Sequence, residues 1–190
     1  MNKQKRFNQI IRDIKSVKIQ GARSIAKSGL EAYFLIHKKS SKKKLLASRA
    51  AEPMMENVLE LAEKNISLKE ILNHFSSAQD AINKNVFKLI KNRDVIFTHW
   101  HSTNVVNALI YSHKKGKNFQ VVNTETRPLF QGRKTSKELR KAGIKVTQYI
   151  DSAAMIAITR GKGNIQVDKV FLGADALLKN GIINKIGSGM

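Results

Sequence analysis

At 190 residues the chain has room for one ordinary domain or two small ones, and its 42% hydrophobic content argues against general disorder. Without a single cysteine it can form no disulfide, thiolate metal site or cysteine nucleophile, which suits a reducing cytoplasm. Its 35 Lys and Arg against 14 Asp and Glu give a net charge of +21, a field that attracts nucleic acid, anionic ligands or acidic protein surfaces. The opening Met1-Asn2-Lys3-Gln4-Lys5-Arg6 lacks the apolar core of a secretory signal. The longest uncharged stretch, Val95 to His113, is broken by Thr, His, Ser and Asn, so it reads as a strand and a helix rather than a membrane span. A soluble cytoplasmic protein with no membrane association is the expectation.

The first half has helical periodicity. Ala22, Ile25, Gly29, Ala32, Tyr33 and Ile36 share one helical face, as do Met54, Val58 and Leu61, and later Ile82, Val86 and Leu89. Lys38 to Lys44 is charged and serine-containing, and reads as a loop or a frayed helix end. Pro53 fits the first turn of a helix, where its missing N–H is no loss. Ser67-Leu68-Lys69-Glu70 is a capping box that starts the next helix.

Near Asn92-Arg93-Asp94 the periodicity changes, which puts a boundary between an N-terminal helical domain, residues 1–92, and an α/β domain, residues 93–190. Apolar, β-branched runs begin at Val95, Phe119, Val146 and Val170. Each ends in a polar cluster: Thr98-His99-Trp100-His101-Ser102, Thr124-Glu125-Thr126-Arg127, Asp151-Ser152 and Gly173-Ala174-Asp175. Helix-like segments separate the first three runs, the rhythm of βα units in a parallel sheet. The crossover helices are expected over Thr103–His113, from a second capping box at Thr135-Ser136-Lys137-Glu138 to Gly143, and over Ala153–Ile158 behind an Asp151-Ser152 cap. Arg160 to Asn164 reads as a flexible turn, and Val170-Phe171-Leu172 as a central strand. Asn180-Gly181 signals a turn before a short strand at Ile182-Ile183. Four parallel strands with no closing helix leave an edge open, so the chain is expected to be a truncated form of a larger fold, the alternative being a small domain that completes its sheet by dimerising.

Ligands bind outside the carboxyl ends of the strands in such sheets, so the polar clusters are placed like a site. His99 and His101 have no obvious third ligand and read as satisfied turn histidines rather than a metal site. Ser102 and Thr103 open a helix, where hydroxyls and free N–H groups can cradle a phosphate. Glu125 and Arg127 form a local ion pair on the simplest reading, and Asp151 is an N-cap. For Asp175 two readings stand, a turn cap and a general acid or base; Gly173-Ala174 before it permits close approach of a backbone or ligand. With aromatics at 6% and no RNA-recognition, zinc-finger or KH signature, any RNA binding is expected to be nonspecific.

In order, these strings resemble the family that contains the alpha, beta and delta subunits of eukaryotic translation initiation factor 2B. Its superfamily includes archaeal homologues and isomerases of ribose 1,5-bisphosphate and methylthioribose 1-phosphate. The matching residues are Ile19-Gln20-Gly21-Ala22-Arg23, Ser48-Arg49 with Glu52-Pro53-Met54, and Thr98-His99 with Ser102. They continue through Thr124-Glu125-Thr126-Arg127-Pro128, Gln131-Gly132, Asp151-Ser152-Ala153, Gly173-Ala174-Asp175 and Asn184-Lys185-Ile186-Gly187. The resemblance implies an α/β fold in which a helical N-terminal domain precedes a Rossmann-like parallel sheet with flanking helices, here incomplete. It also implies a homo-oligomer when full length.

The resembling isomerases use a cysteine in the strand-one motif and the aspartate of Gly-Ala-Asp for proton transfer. Here Asp175 is retained, but Trp100 stands at the cysteine position. Gln20 replaces an arginine, and the Asp175 to Asn184 interval is one residue short. The sequence therefore favours a noncatalytic regulatory-subunit homologue that binds initiation factor 2, with an altered ribose-1,5-bisphosphate isomerase as the alternative. No metal and no cofactor are expected on either reading, and the pocket is expected to take a phosphorylated sugar or nucleotide as ligand. Gly21, Ala22, Arg23 and Arg49 would be its anion contacts, with Ser102, Arg127, Asn184 and Lys185 as further polar contacts.

Overall fold

The computed structural model describes residues 2–49, 52–159 and 165–184. Their chain divides into two compact units, one running to Ser77 and including Asp175–Ile183, the other formed by Ala78–Ala174 with Asn184. No helix among the described residues is long and apolar enough to cross a membrane.

The first unit is helical: α1 (Lys3–Lys15), α2 (Ala22–Leu35), α3 (Lys39–Leu46), α4 (Pro53–Glu63) and the start of α5 (Leu68–Leu89). Phe7, Ile10 and Ile14 of α1 recur at helical spacing and join Ile25, Leu30, Leu45, Leu59 and Ile71 in one core. The Asn2 side chain caps α1 by accepting from the Gln4 N–H at 3.0 Å. The capping box before α5 forms as expected, Glu70 taking the Ser67 N–H at 3.0 Å while its own N–H donates to Ser67 Oγ at 3.2 Å. The basic segment after Lys38 is neither loop nor frayed end. It forms α3, because Ser41 and Leu45, one turn apart, are buried, and Lys42 Nζ reaches Glu63 at 2.7 Å. Lys39, Lys43 and Lys44 face solvent, so charge and burial take opposite sides of one helix. A two-stranded hairpin, β5 (Ala176–Leu178) with β6 (Gly181–Ile183), also belongs to this unit.

The second unit is α/β. Its strands β1 (Val95–Thr98), β2 (Gln120–Thr124), β3 (Lys145–Tyr149) and β4 (Lys169–Val170) form a parallel sheet in the order β3-β2-β1-β4. Helices α6 (Thr103–Lys114) and α7 (Gln131–Lys141) connect β1 to β2 and β2 to β3, and the short α8 (Ala154–Ile158) follows β3. Alternation along β1 and β2 gives each face its own core: Ile96 and Val121 pack with Val106, Leu109 and Leu139, while Phe97 and Val122 pack with Ala157. A strand covered on both faces can be apolar throughout, which is why Val95-Ile96-Phe97 does not alternate. The run at Val170 is an edge strand, not a central one. It pairs over two residues only, leaving Val170 53% exposed. What holds it is polar: Lys169 Nζ bonds the buried Asp94 at 2.7 Å, and the Asp168 carboxylate accepts the Val95 N–H at 2.8 Å.

Candidate active site

The loops after β1, β2 and β3 meet at the carboxyl ends of the sheet, joined by side chains from α7. The α7 helix begins at Gln131, not at the expected Thr135 capping box. Thr135 and Ser136 lie inside it, buried, and their hydroxyls serve the loops. Ser136 Oγ donates to Asn123 Oδ1 at 2.9 Å, and Asn123 Nδ2 donates to the Gly132 carbonyl at 2.8 Å. Thr135 Oγ1 donates to the Trp100 carbonyl at 3.0 Å and lies 3.0 Å from His101 Nδ1. A hydroxyl has one proton, so with that proton on Trp100 the contact to His101 requires an Nδ1–H donor.

Asp151 is not an N-cap. Its carboxylate crosses to the β2 loop and accepts the N–H groups of Thr126 and Arg127 at 2.7 and 2.6 Å. Burial pushes this carboxyl up, but those two N–H groups, the Thr124 hydroxyl and nearby His99 together hold it below the ordinary aspartate range. Thr124 Oγ1 is also hydrogen-bonded to His99 Nδ1. Since the ionised Asp151 only accepts, it takes the threonine proton, and the threonine oxygen accepts from His99 Nδ1–H. That pattern assigns His99 a bare Nε2 lone pair. Burial lowers the His99 pKa, against the opposing pull of Asp151, so the ring is neutral near pH 7.

Burial, reinforced by Lys134, lowers the His101 pKa from 6.5 to about 4. The fold thus favours the neutral ring, and between pH 6.5 and about 4 the unfolded chain binds the extra proton. Stability is complete above this window and falls as pH drops through it, by about 2–3 kcal/mol. Urea midpoints at pH 7.5 and 5 should show a smaller acid loss for His101→Gln than for the wild type. An equal loss would place the effect elsewhere.

Glu125 is buried and pairs with Arg127 Nε at 2.6 Å and Arg133 Nη2 at 2.7 Å, both guanidinium groups also stacking near the Phe130 ring. The expected local ion pair is therefore a three-membered one. Hydrogen bonds to Arg127 and Arg133 hold the Glu125 carboxyl below its usual range. Gly173 makes the anticipated close approach: a Cβ there would stand 2.7 Å from Ser102 Cβ. Ser102 caps α6, its hydroxyl accepting the Val105 N–H at 3.4 Å.

Trp100 occupies left-handed backbone, φ +64°, with its N–H on Thr126 Oγ1 at 3.2 Å. Its indole Nε1 is buried and has no hydrogen-bond partner among the described residues. In the first unit, Gly21 starts α2 with φ +83°, and Ala22 is its first residue. Arg23 donates to the Phe75 carbonyl at 3.3 Å, Arg49 pairs with Glu52 at 3.1 Å, and the Asp175 N–H bonds the Ile183 carbonyl at 2.8 Å. Trp100, Ser102, Arg127 and Asn184 belong to the second unit. Lys185 and the Arg160–Asn164 turn lie outside the described residues. What the sequence reading missed is the His99–Thr124–Asp151 chain, although its signal was one proton-handling residue at each of three successive strand ends.

The Initiation factor 2 subunit family matches residues 39–190. The chain is 32% identical over 200 residues to the ribose 1,5-bisphosphate isomerase of Archaeoglobus fulgidus, covering 92% of this chain and 62% of that protein. It is 38% identical over 123 residues to the ribose 1,5-bisphosphate isomerase of Thermococcus kodakarensis, covering 64% of this chain and 36% of the relative. The chain therefore spans less than two thirds of these relatives' length. Among solved structures it is similar to the translation initiation factor eIF-2B of Pyrococcus horikoshii OT3, with TM-score 0.75, 21% identity, and coverage of 96% of this chain and 71% of that one. That likeness shows the α/β fold. The expectation of a noncatalytic subunit binding initiation factor 2 is overturned, because relatives at 32% and 38% identity are named isomerases. With 152 of its 190 residues matched (39 through 190), the chain belongs to the Initiation factor 2 subunit family.

Proposed function

We propose that this chain has a sugar-phosphate isomerase site that converts ribose 1,5-bisphosphate to the corresponding 2-ketose. The observation that carries the reading is the kinship with curated isomerases of that substrate, together with retained Asp175. In an aldose 1-phosphate the carbonyl carbon is locked as an acetal, so the reaction has to open the ring first. The C1–O4 bond breaks and O4 takes a proton. The C2 proton then goes to a base, giving a C1=C2 enol phosphate. C1 is reprotonated and the C2 hydroxyl gives up its proton to leave the ketone. Protons and electrons balance, and no redox partner is needed.

Two proton-handling groups suffice for this sequence. We assign Asp175 as one, following the resemblance. Trp100 cannot be the other, since an indole N–H donates but does not shuttle a proton near neutral pH. His99 is next to it in the chain and presents a neutral ring with a bare Nε2, so we assign the second role to His99. Anion contacts in this reading are Gly21, Ala22, Arg23 and Arg49, with Ser102, Arg127, Asn184 and Lys185 as polar contacts.

The test is steady-state conversion of ribose 1,5-bisphosphate by the full chain and by Asp175→Asn. General acid–base groups contribute about 10²–10⁴-fold, so the variant should lose at least about 100-fold in kcat. A wild-type chain that forms no ketose defeats the reading.

A further inference from the structure

Seven cations of the second unit lie at the amino ends of the sheet, away from the carboxyl-end loops where Arg127 and Arg133 hold Glu125. In a parallel βα sheet the helix C-termini and the next strand starts lie together at that end. Three turns form the rim. The first has Lys91 and Arg93, the second Lys114, Lys115 and Lys117, and the third Lys141 and Lys145. They are joined into one surface. The Arg93 N–H donates to the Asn118 carbonyl at 2.7 Å, and the Asn118 N–H to Asn92 Oδ1 at 2.9 Å. His113, at the end of α6, comes within 3.3 Å of a Cβ placed on Gly143.

Two carboxylates share this end, and both are occupied. Asp94 is buried on Lys169 Nζ and the Lys91 N–H, and Asp168 accepts the Val95 N–H. Favourable placement of cations at helix C-termini accounts for Lys114 and Lys141. It does not account for Arg93, Lys117 and Lys145, which lie in turns or at a strand start. Two of the rim lysines have seats, Lys117 over the Phe87 ring at 4.8 Å and Lys115 over Tyr111 at 5.9 Å.

We infer that this rim is a docking surface for the phosphodiester backbone of a nucleic acid, bound without base readout. A bilayer would also attract the charge, but it needs apolar side chains to insert. Among the described residues of this unit, Leu129, Ile150, Met155, Ile156, Ile158 and Leu172 are exposed but follow the carboxyl ends of their strands, Val170 is exposed on the edge strand, and Leu89 is exposed beside the rim. With no exposed aromatic platform among the rim side chains, base stacking adds nothing, so affinity comes from counterion release. The inference is independent of the isomerase reading, because it uses none of the residues assigned to that site.

The experiment is fluorescence anisotropy of a labelled 20-nucleotide oligo(U), with the full chain at several salt concentrations. With four to six phosphate contacts at about −0.7 each, log K should fall against log salt with a slope of about −3 to −4. The variant Lys91→Glu/Lys115→Glu/Lys141→Glu should bind at least about tenfold more weakly at 0.1 M salt and show a shallower slope. The control Lys39→Glu/Lys43→Glu/Lys44→Glu on α3 changes the net charge by the same amount and should stay within about threefold of the wild type. Equal losses in both variants would reduce the effect to bulk charge and overturn the rim. So would an absence of binding at 0.1 M salt, or binding to phosphatidylserine vesicles without binding to RNA. Equal affinity for oligo(dT) supports backbone recognition, whereas a strong preference for one base overturns it.

Discussion

Replacing Gly132 by alanine should destabilise the second unit more than any other single methyl group added to it. A Cβ at this position would stand 1.7 Å from the Thr124 carbonyl oxygen and 2.9 Å from its carbon, so the obstacle is backbone and cannot rotate away. The same residue donates its N–H to the Glu125 carbonyl at 3.1 Å and accepts from Asn123 Nδ2 at 2.8 Å. Moving it therefore loosens the whole β2 loop. Overpacking costs about 1–3 kcal/mol where side chains can yield, and against backbone we expect more than about 3 kcal/mol. In a chain of this length that lowers the melting temperature by about 6–12 °C, or prevents folding. Gly116→Ala is the comparison: nothing lies within 4 Å of its Cβ, and only its φ of +91° opposes the change. That strain costs about 1–2 kcal/mol. Calorimetry showing Gly132→Ala melting above Gly116→Ala would refute the clash.

The largest effect on turnover, alongside that of Asp175→Asn, is expected at His99. If its Nε2 moves the substrate proton, His99→Gln removes the base while leaving a side chain that can still donate to Thr124. The expected loss in kcat is about 10²–10⁴-fold with KM nearly unchanged. Thr124→Val, nearly isosteric at a fully buried position, leaves His99 in place but deprives Nδ1–H of its acceptor. It should lower kcat by about tenfold, in line with the partial loss expected of a positioning residue. Adding Trp100→Cys to the His99→Gln chain supplies a thiol beside the missing base and should recover part of the rate. A His99→Gln enzyme with wild-type kcat would confine His99 to holding the loop.

Much of this fold was readable because apolar burial leaves a strong periodic mark. The runs at Val95, Phe119 and Val146 became β1 to β3, and the Ser67–Glu70 box caps α5 as its residue types require. The failures share a cause. The charge of Lys38 to Lys44 suggests a loop, whereas the burial of Ser41 and Leu45, four residues apart, decides that it is helical. Thr135-Ser136-Lys137-Glu138 and Asp151-Ser152 have the residue types of helix caps, yet their polar groups are used across the sheet, on Trp100, Asn123, Thr126 and Arg127. A capping pattern records what a side chain can do locally, and a partner 24 or 25 residues away in sequence is invisible to it. The apolar run at Val170 suggests a central strand, but strand order depends on pairing, which composition does not contain.

The most direct test of the isomerase reading is to incubate the unsubstituted 190-residue chain with ribose 1,5-bisphosphate in D2O and follow the sugar carbons by NMR. Proton transfer through an enol phosphate predicts a 2-ketose product with one solvent deuteron at C1. Recovery of the aldose unchanged, with no deuterium at C2, would contradict it.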